Sequence, residues 1–512
     1  MWSSMDSNLL VILSNELVFT VSLIAILTYF FDHRKKKISS SNKKIKYFYW
    51  IILAAISIMS LLVIKSRIIM VIDEYLNLFS YRTIYRFFTL KGGELFLSKA
   101  SGWPLFLANL SLITGVLGYK QVFLVNGALY IFSVILFYEL TKKITKDKTF
   151  AFIFAILYAI NDSIIVWATS SENHTLSNFY LILGFIFLFD FFEKPSTKNI
   201  TATLWTFAFS ALVRAENFFV LTIVSIVVIV RIMSSNTRIK KRKLLIINLI
   251  AIFSLTSLEF LRIINLYKNM TLFGYETKKF LFSPSFFLKE VLHLSNPVSV
   301  CIILLFIVSI ILLFTKKEMQ SIPPILIFFT FLVPFYKANF VPSDLYRFNY
   351  PLILPMYLTI ALASKHLLNK KSTKIPLSIF LLLLIILNYT IIIKSSNSYF
   401  GTQDYVNCIT SINFTEEIKP DYLIITPLKF QYYFLDNEII DYKQFRELYE
   451  RAILPSNFLL LVDNNSWHIE ELKEIVSEAM PLIKKLESEG KIKRINDISL
   501  KEGCNLNFYK ST

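Results

Sequence analysis

Glycine is scarce in this chain, 11 of 512 residues, and no G-x-G-x-x-G or P-loop occurs among them. Without a glycine-rich loop there is no ready backbone cradle for a nucleotide's phosphates, which weighs against a nucleotide-activated donor. The same scarcity weighs mildly against a transporter built on glycine-broken helices at the membrane midplane. Cysteine is scarcer still: Cys301, Cys408 and Cys504 follow no metal-ligand spacing. A disulfide between Cys408 and Cys504 stays open, because both fall in one polar carboxy-terminal region. Acidic residues are in deficit, 36 against 54 Lys and Arg, for a net charge of +18. The basic residues lie in short clusters between apolar runs, which is a positive-inside pattern and not a nucleic-acid footprint. The first apolar run, 9–31, lacks the marks of a cleaved signal. No Lys or Arg precedes it, no small-residue cleavage site follows it, and it is too long for a signal core, so it is expected to span.

What the chain has in abundance is apolar length. Hydrophobic residues make up 55%, charged residues 18%, and the mean hydropathy is +0.55. Repeated runs of about 20 apolar residues cannot all be hidden in a soluble core, so the chain reads as a polytopic membrane protein. The 48 Phe and 26 Tyr suit lipid-facing helices and interfacial belts. About twelve spans are expected, at 9–31, 47–64, 119–141, 149–167, 174–192, 200–215, 217–233, 244–262, 297–315, 323–340, 351–367 and 376–394. Alternating spans put the clusters 34–46, 142–148, 238–243, 316–317 and 370–374 on one face, which is then cytoplasmic, with both termini outside. Four outer segments remain: the loop 65–118, ending in an amphipathic run at 103–113 suited to lying in the interface; the junction 168–175; the segment 263–296; and the turn 337–350. After residue 394 the composition turns polar. Strand-like runs at 422–426, 458–462 and 505–509, with a helical pattern at 467–488, read as a small α/β domain outside the membrane.

The segment 71–87, VIDEYLNLFSYRTIYRF, opens the first outer loop and carries adjacent carboxylates, Asp73 and Glu74, followed by Arg82 and Arg86. A carboxylate at the interface suits a general base toward an acceptor hydroxyl; the alternative is a pair that is salt-bridged to Arg82 or Arg86, or simply solvated. Glu172 and His174 in SENHT suit a polar pocket or a divalent cation beside Asp73, or else ordinary interfacial roles. Arg214 and Glu216 interrupt the apolar stretch SALVRAENFF. They read as a mutual ion pair or as a phosphate site with Arg214 at its centre. Arg347 in DLYRFNYP, between Tyr346 and Phe348, suits bidentate capture of a lipid phosphate, or an aromatic-belt anchor.

At these residues the chain resembles the integral-membrane glycosyltransferases of the GT-C superfamily, in particular the branch of protein mannosyltransferases and aminoarabinose transferases. Asp73–Glu74 resembles the acidic pair of that family's first outer loop, and SGWPLFLANLSLITGVLG the proline-containing amphipathic segment after it. NDSIIVWATSSENHTLSNFYLILGFIFLF resembles the next span pair with its acidic outer turn. SALVRAENFF resembles an Arg-x-Glu break, and DLYRFNYPLILP the Arg–aromatic–Pro entry to a late span. The likeness covers roughly residues 45–370. It implies an all-α polytopic membrane domain over 1–394, with the catalytic loop at 65–118 and an extracytoplasmic α/β domain at 395–512. It further implies sugar transfer from a polyprenyl-phosphate donor to a hydroxyl of a protein, lipid or glycan acceptor. Asp73 would be the base, Glu74 its support, and Arg347 and Arg214 would meet the donor phosphate. Glu172, His174, Glu216, Arg82, Arg86 and Tyr346 would line the cavity. Two features depart from the pattern. The span 9–31 precedes the usual first helix, and no D-x-D pair of the metal-dependent branch is seen, so a divalent cation stays an open cofactor. A non-catalytic transporter of lipid-linked glycans is the runner-up, and would show charges in the middle of several spans; here the charges gather at span ends. A third reading, a sensor or scaffold, needs no acidic pair at the interface.

Overall fold

The computed structural model describes residues 4–36, 43–64, 72–91, 95–97, 100–170, 172–234, 239–270, 292, 294, 296–332, 350–368, 371–395, 423–425, 439–440, 442–451, 457–463, 480–495 and 506–512. The first part is helical. It runs through α1 (Ser4–Lys36), α2 (Lys43–Ile64), α3 (Ile72–Phe88), α4 (Gly102–Thr114), α5 (Tyr119–Thr145), α6 (Lys148–Ala159), α7 (Asp162–Ala168) and α8 (His174–Glu193). It continues with α9 (Thr197–Val213), α10 (Asn217–Met233), α11 (Ile239–Met270), α12 (Pro297–Thr315), α13 (Ile322–Leu332), α14 (Tyr350–Leu367) and α15 (Lys371–Ser395). Short polar side chains set several starts by accepting the orphan amides of the first turn. Asp147 accepts from Phe150 N, Asn161 from Ile164 N, Ser196 from Asn199 N, and Asn296 from Val298 N with Pro297 at the first helical position.

Among the described residues six helical stretches are long and apolar enough to cross a membrane: Asn8–Phe31, Gln121–Thr145, His174–Glu193, Arg242–Asn265, Pro297–Thr315 and Ser372–Ile393. A seventh arises if α6 and α7, bent by 62° at their junction, form one span. Such lengths in one chain make this a membrane protein. Each of the twelve segments picked out in the sequence overlaps a helix, several of them shorter than that length.

The bundle is arranged around α8, whose apolar stretch is 83% buried, against 22% for α15 and 28% for α12. Helix α9 lies along α8 so closely that a Cβ at Gly184 would stand 2.8 Å from the Phe207 ring. The first helix is no appendage. Phe19 meets Phe209 of α9 with ring centroids 5.0 Å apart, Ser14 Oγ donates to Leu255 O, and Asn15 Nδ2 donates to Ser101 Oγ. The run 103–113, expected to lie in the interface, forms α4 and packs on protein: Trp103, Pro104, Leu105, Leu107 and Ala108 are buried.

Polar contacts sort the helix ends into two groups. At one end Tyr29 and Lys143 both meet Asp190, Trp50 Nε1 donates to Glu139, Lys374 pairs with Asp147, and Lys365 pairs with Glu318. This is the lysine-rich end. At the other end Asn77 meets Glu172, His174 meets Arg214, and Arg262 pairs with Glu259.

Beyond α15 the described residues form a five-stranded sheet, β1 (Leu423–Ile425), β2 (Ile439–Ile440), β3 (Phe458–Asp463), β4 (Ile492–Ile495) and β5 (Leu506–Ser511), in the order β2-β1-β3-β5-β4. β1 pairs in parallel with β2 and β3, and β5 antiparallel with β3 and β4. One face, with Leu423, Ile425, Phe458, Leu460 and Val462, packs on helix α16 (Tyr442–Glu450) through Phe445 and on residues 480–488 through Ile483 and Leu486. The alternate residues Ile424, Leu459 and Leu461 join the main apolar cluster, so both faces are covered. Three strands expected from the sequence coincide with β1, β3 and β5; β2, β4 and α16 add to them. Cys408 and Cys504, and the helical expectation over 467–479, lie outside the described residues.

Candidate functional site

The polar end of the bundle is assembled from chain breaks. Helix α7 ends at Ala168, and a short turn leads into α8 at His174. Helix α9 ends at Val213; Arg214 to Glu216 form a non-helical step, and α10 begins at Asn217. Carboxamides tie these breaks together by filling backbone groups that the helices leave open. Asn126 Nδ2 donates to Ser170 O at 2.6 Å and Glu172 O at 3.0 Å, and Asn173 Nδ2 donates to Val213 O at 2.8 Å. Asn217 Nδ2 donates to Ser177 Oγ and to Ser210 O. Tyr350, at the start of α14, donates from its hydroxyl to His174 O at 3.0 Å. None of these asparagines was singled out in the sequence; the visible signal is a polar residue at or near the end of an apolar run.

Within this frame four of the expected site residues meet. Arg214 forms an ion pair with Glu216 and donates from Nη1 to His174 Nε2 at 3.0 Å. Glu172 is 3% exposed; its carboxylate accepts from Asn77 Nδ2 at 3.4 Å and from its neighbour's amide, Asn173 N, at 3.3 Å. Asn77 belongs to α3, the helix whose first turn holds positions 73 and 74. Position 73 lies one turn before Asn77, on the same stripe as Asn77 and Tyr81. The side chains of Asp73 and Glu74 lie outside the described residues, as do Tyr346 and Arg347 altogether.

Arg82 and Arg86 stand elsewhere. They fall five and nine positions after Asn77, near the opposite side of α3 at 100° per residue. Arg86 Nη2 reaches Lys91 O in the loop beyond. On the helix these two positions therefore lie on another side from the one that meets Glu172.

The chemistry of the cluster follows from its donors. A guanidinium only donates, so His174 Nε2 must accept from Arg214, and the imidazole proton sits on Nδ1. Nε2 is then taken up by the hydrogen bond from the guanidinium. Among the described residues no three of His, Cys, Asp and Glu gather to hold a metal ion.

The comparison with known proteins is decided by shape. The chain superposes on ArnT from Cupriavidus metallidurans, solved bound to undecaprenyl phosphate, with a TM-score of 0.54 and 10% identity, over 90% of this chain and 98% of that one. The chain has the GT-C fold. Coverage of 90% is more than residues 1–394 alone could supply, so the likeness of fold runs on into the carboxy-terminal region. An oligosaccharyltransferase from Archaeoglobus fulgidus is similar at a TM-score of 0.48. Its complex with Zn and sulfate matches at 10% identity over 81% of this chain and 68% of that one; its form tethered with an acceptor peptide containing the NVT sequon matches at 12% over 83% and 70%. Neither a protein-family model nor a curated protein matches the chain.

Proposed function

We propose that this GT-C protein is a glycosyltransferase of the membrane's outer face, which moves a sugar from a polyprenyl-phosphate donor onto an acceptor hydroxyl of a protein, lipid or glycan. Asp73 takes the hydroxyl proton as general base. The freed oxygen forms a bond to the anomeric carbon, the bond from that carbon to the phosphate oxygen breaks, and its electron pair leaves on the polyprenyl phosphate. Glu74 supports the base. Arg347 and Arg214 meet the phosphate, whose charge builds as the bond breaks. Glu172, His174 and Glu216 shape the surrounding polar wall, and Tyr346 flanks Arg347.

The observation that carries this reading is convergence. Residues from two breaks in the chain, Glu172 with His174 and Arg214 with Glu216, meet Tyr350 at the start of α14 at one end of the bundle beside Asn77, one helical turn from Asp73. Charge gathered at helix ends suits chemistry at the water boundary better than passage of a substrate through the midplane. The fold, shared with a protein that binds undecaprenyl phosphate, supports a lipid-linked donor.

The test is Asp73→Asn, which keeps shape and removes the base. Purified protein is incubated with a panel of polyprenyl-phosphate sugars, and released lipid phosphate is measured. Release should fall at least about a hundredfold, on the scale of general-base catalysis, while the melting temperature and membrane extraction stay those of the parent. Unchanged release by the variant would remove Asp73 from the mechanism.

A further inference from the structure

Two buried N–H groups in the cluster have no hydrogen-bond partner. His174 is fully buried and Trp167 is 1% exposed; neither His174 Nδ1 nor Trp167 Nε1 is bonded among the described residues. With Nε2 accepting from Arg214, His174 Nδ1 is a donor, and an indole nitrogen can only donate. Their rings are in contact, with centroids 4.0 Å apart. An unmade hydrogen bond at such a buried donor is costly, and a native structure keeps it chiefly where a ligand completes it.

The surroundings say what kind of ligand. His174 is the first residue of α8, a helix of 20 residues that starts without a side-chain cap on its amide groups. A helix start of that kind carries partial positive charge and free N–H groups. The Arg214 guanidinium stands on the other side of the imidazole. The two unpartnered groups, His174 Nδ1 and Trp167 Nε1, are both donors, so the group that fits them accepts only; carboxylates stand near them as well, Glu172 at the amide of Asn173 and Glu216 on Arg214. The cluster also has a way out to water: the Glu216 side chain, paired with Arg214, is 37% exposed.

We infer that the start of α8, with His174 Nδ1–H, Trp167 Nε1–H and Arg214, is a phosphate-ester subsite. Resting on the reading of the chain as a lipid-phosphate-dependent transferase, it assigns to Trp167 and His174 the non-bridging oxygens of the donor's phosphate. In this arrangement the Glu216 carboxylate holds the guanidinium when no phosphate is present and yields it when one arrives.

The experiment measures binding without any sugar. Polyprenyl phosphate and the matching polyprenol are titrated into the full-length protein in detergent, followed by tryptophan fluorescence and melting temperature. The parent should bind the phosphate more tightly than the alcohol. Trp167→Phe keeps the ring and loses the donor. His174→Gln keeps an acceptor toward Arg214 and loses the Nδ1–H, whereas His174→Asn keeps a donor near the Nδ1 position. Trp167→Phe and His174→Gln should each weaken phosphate binding about tenfold, leave polyprenol binding unchanged, and His174→Asn should recover part of the loss. Equal binding of phosphate and alcohol by the parent would overturn the subsite, and so would unchanged phosphate affinity in both donor-deleting variants. Should Trp167→Phe fold poorly, the parent's own fluorescence decides: a response to the phosphate and not to the alcohol supports the subsite, and no difference overturns it. Phosphate selectivity without transfer from any sugar donor would keep the subsite and sink the transferase reading; transfer with unaffected variants would do the reverse.

Discussion

Glu259 is a residue that the sequence left inside an ordinary apolar span, and it is fully buried. Its two oxygens take Arg262 Nη2 and Nε, both at 2.9 Å, and the first also accepts Ser101 N at 2.8 Å. Arg262 reaches on to Leu97 O, so one carboxylate joins α11 to the start of α4. Removing one partner of a buried pair strands the other charge. Glu259→Gln should therefore cost about 3 kcal/mol in unfolding measurements, on the scale of such losses. Glu489, which pairs with Lys491 at the surface, should be replaceable by Gln with no measurable change. The Asp147 carboxyl behaves differently with pH. Burial pushes it up, but the Lys374 ammonium and the amides of Phe150 and Thr149 outweigh that and hold it below the usual carboxylate range. A carboxyl lowered by folding contributes stability that is complete above its unfolded value near 3.9 and lost as pH falls through the folded value. Asp147→Asn should flatten the acid limb of the stability–pH curve. A variant curve parallel to the parent's below pH 4 would contradict this.

At the scale of elements, the site depends on where helices stop. The step at 214–216 is held from below by α4, since a Cβ on Gly102 would stand 2.6 Å from Leu212 C and from Val213 N. Backbone cannot give way as a flexible side chain can. Gly102→Ala should push α4 off the end of α9, costing about 1–3 kcal/mol and weakening polyprenyl-phosphate binding through Arg214, although residue 102 touches no ligand. Normal binding with lowered stability would separate the two roles. Breaks of this kind were partly legible. The charged pair in SALVRAENFF marked the step after α9, and Asn or Ser ahead of an apolar run marked several helix starts. The 62° bend between α6 and α7 was not marked. The run 149–167 reads as one span because Asn161, Asp162 and Ser163 are a short polar patch in an otherwise apolar stretch, and the bend shows itself in contacts from afar: Asn388 Nδ2 donates to Ile160 O, and Asn296 Nδ2 donates to Asp162.

For the whole molecule, the two sets of end contacts predict sidedness. In a background with the three cysteines replaced by serine, Val116→Cys lies near the carboxylate-bearing end and Lys316→Cys at the lysine-rich end. A membrane-impermeant thiol reagent applied to intact cells should label position 116 directly and position 316 only after permeabilisation. The reverse order would invert the proposed topology and move the proposed catalytic loop to the cytoplasm.

The sequence by itself determined the membrane setting, the helical character and the residues with chemistry to offer. Those follow from composition and from local periodicity, because an apolar run must leave water whatever its neighbours are. What only tertiary structure decided is company. Glu172, Arg214 and Tyr350 are far apart along the chain, and no local pattern states that these helix ends meet. Nor could any pattern reveal that His174 gives Nε2 to a guanidinium and thereby keeps its proton on Nδ1. Hydrogen-bond direction is a property of pairs, and pairs between distant segments are made by packing.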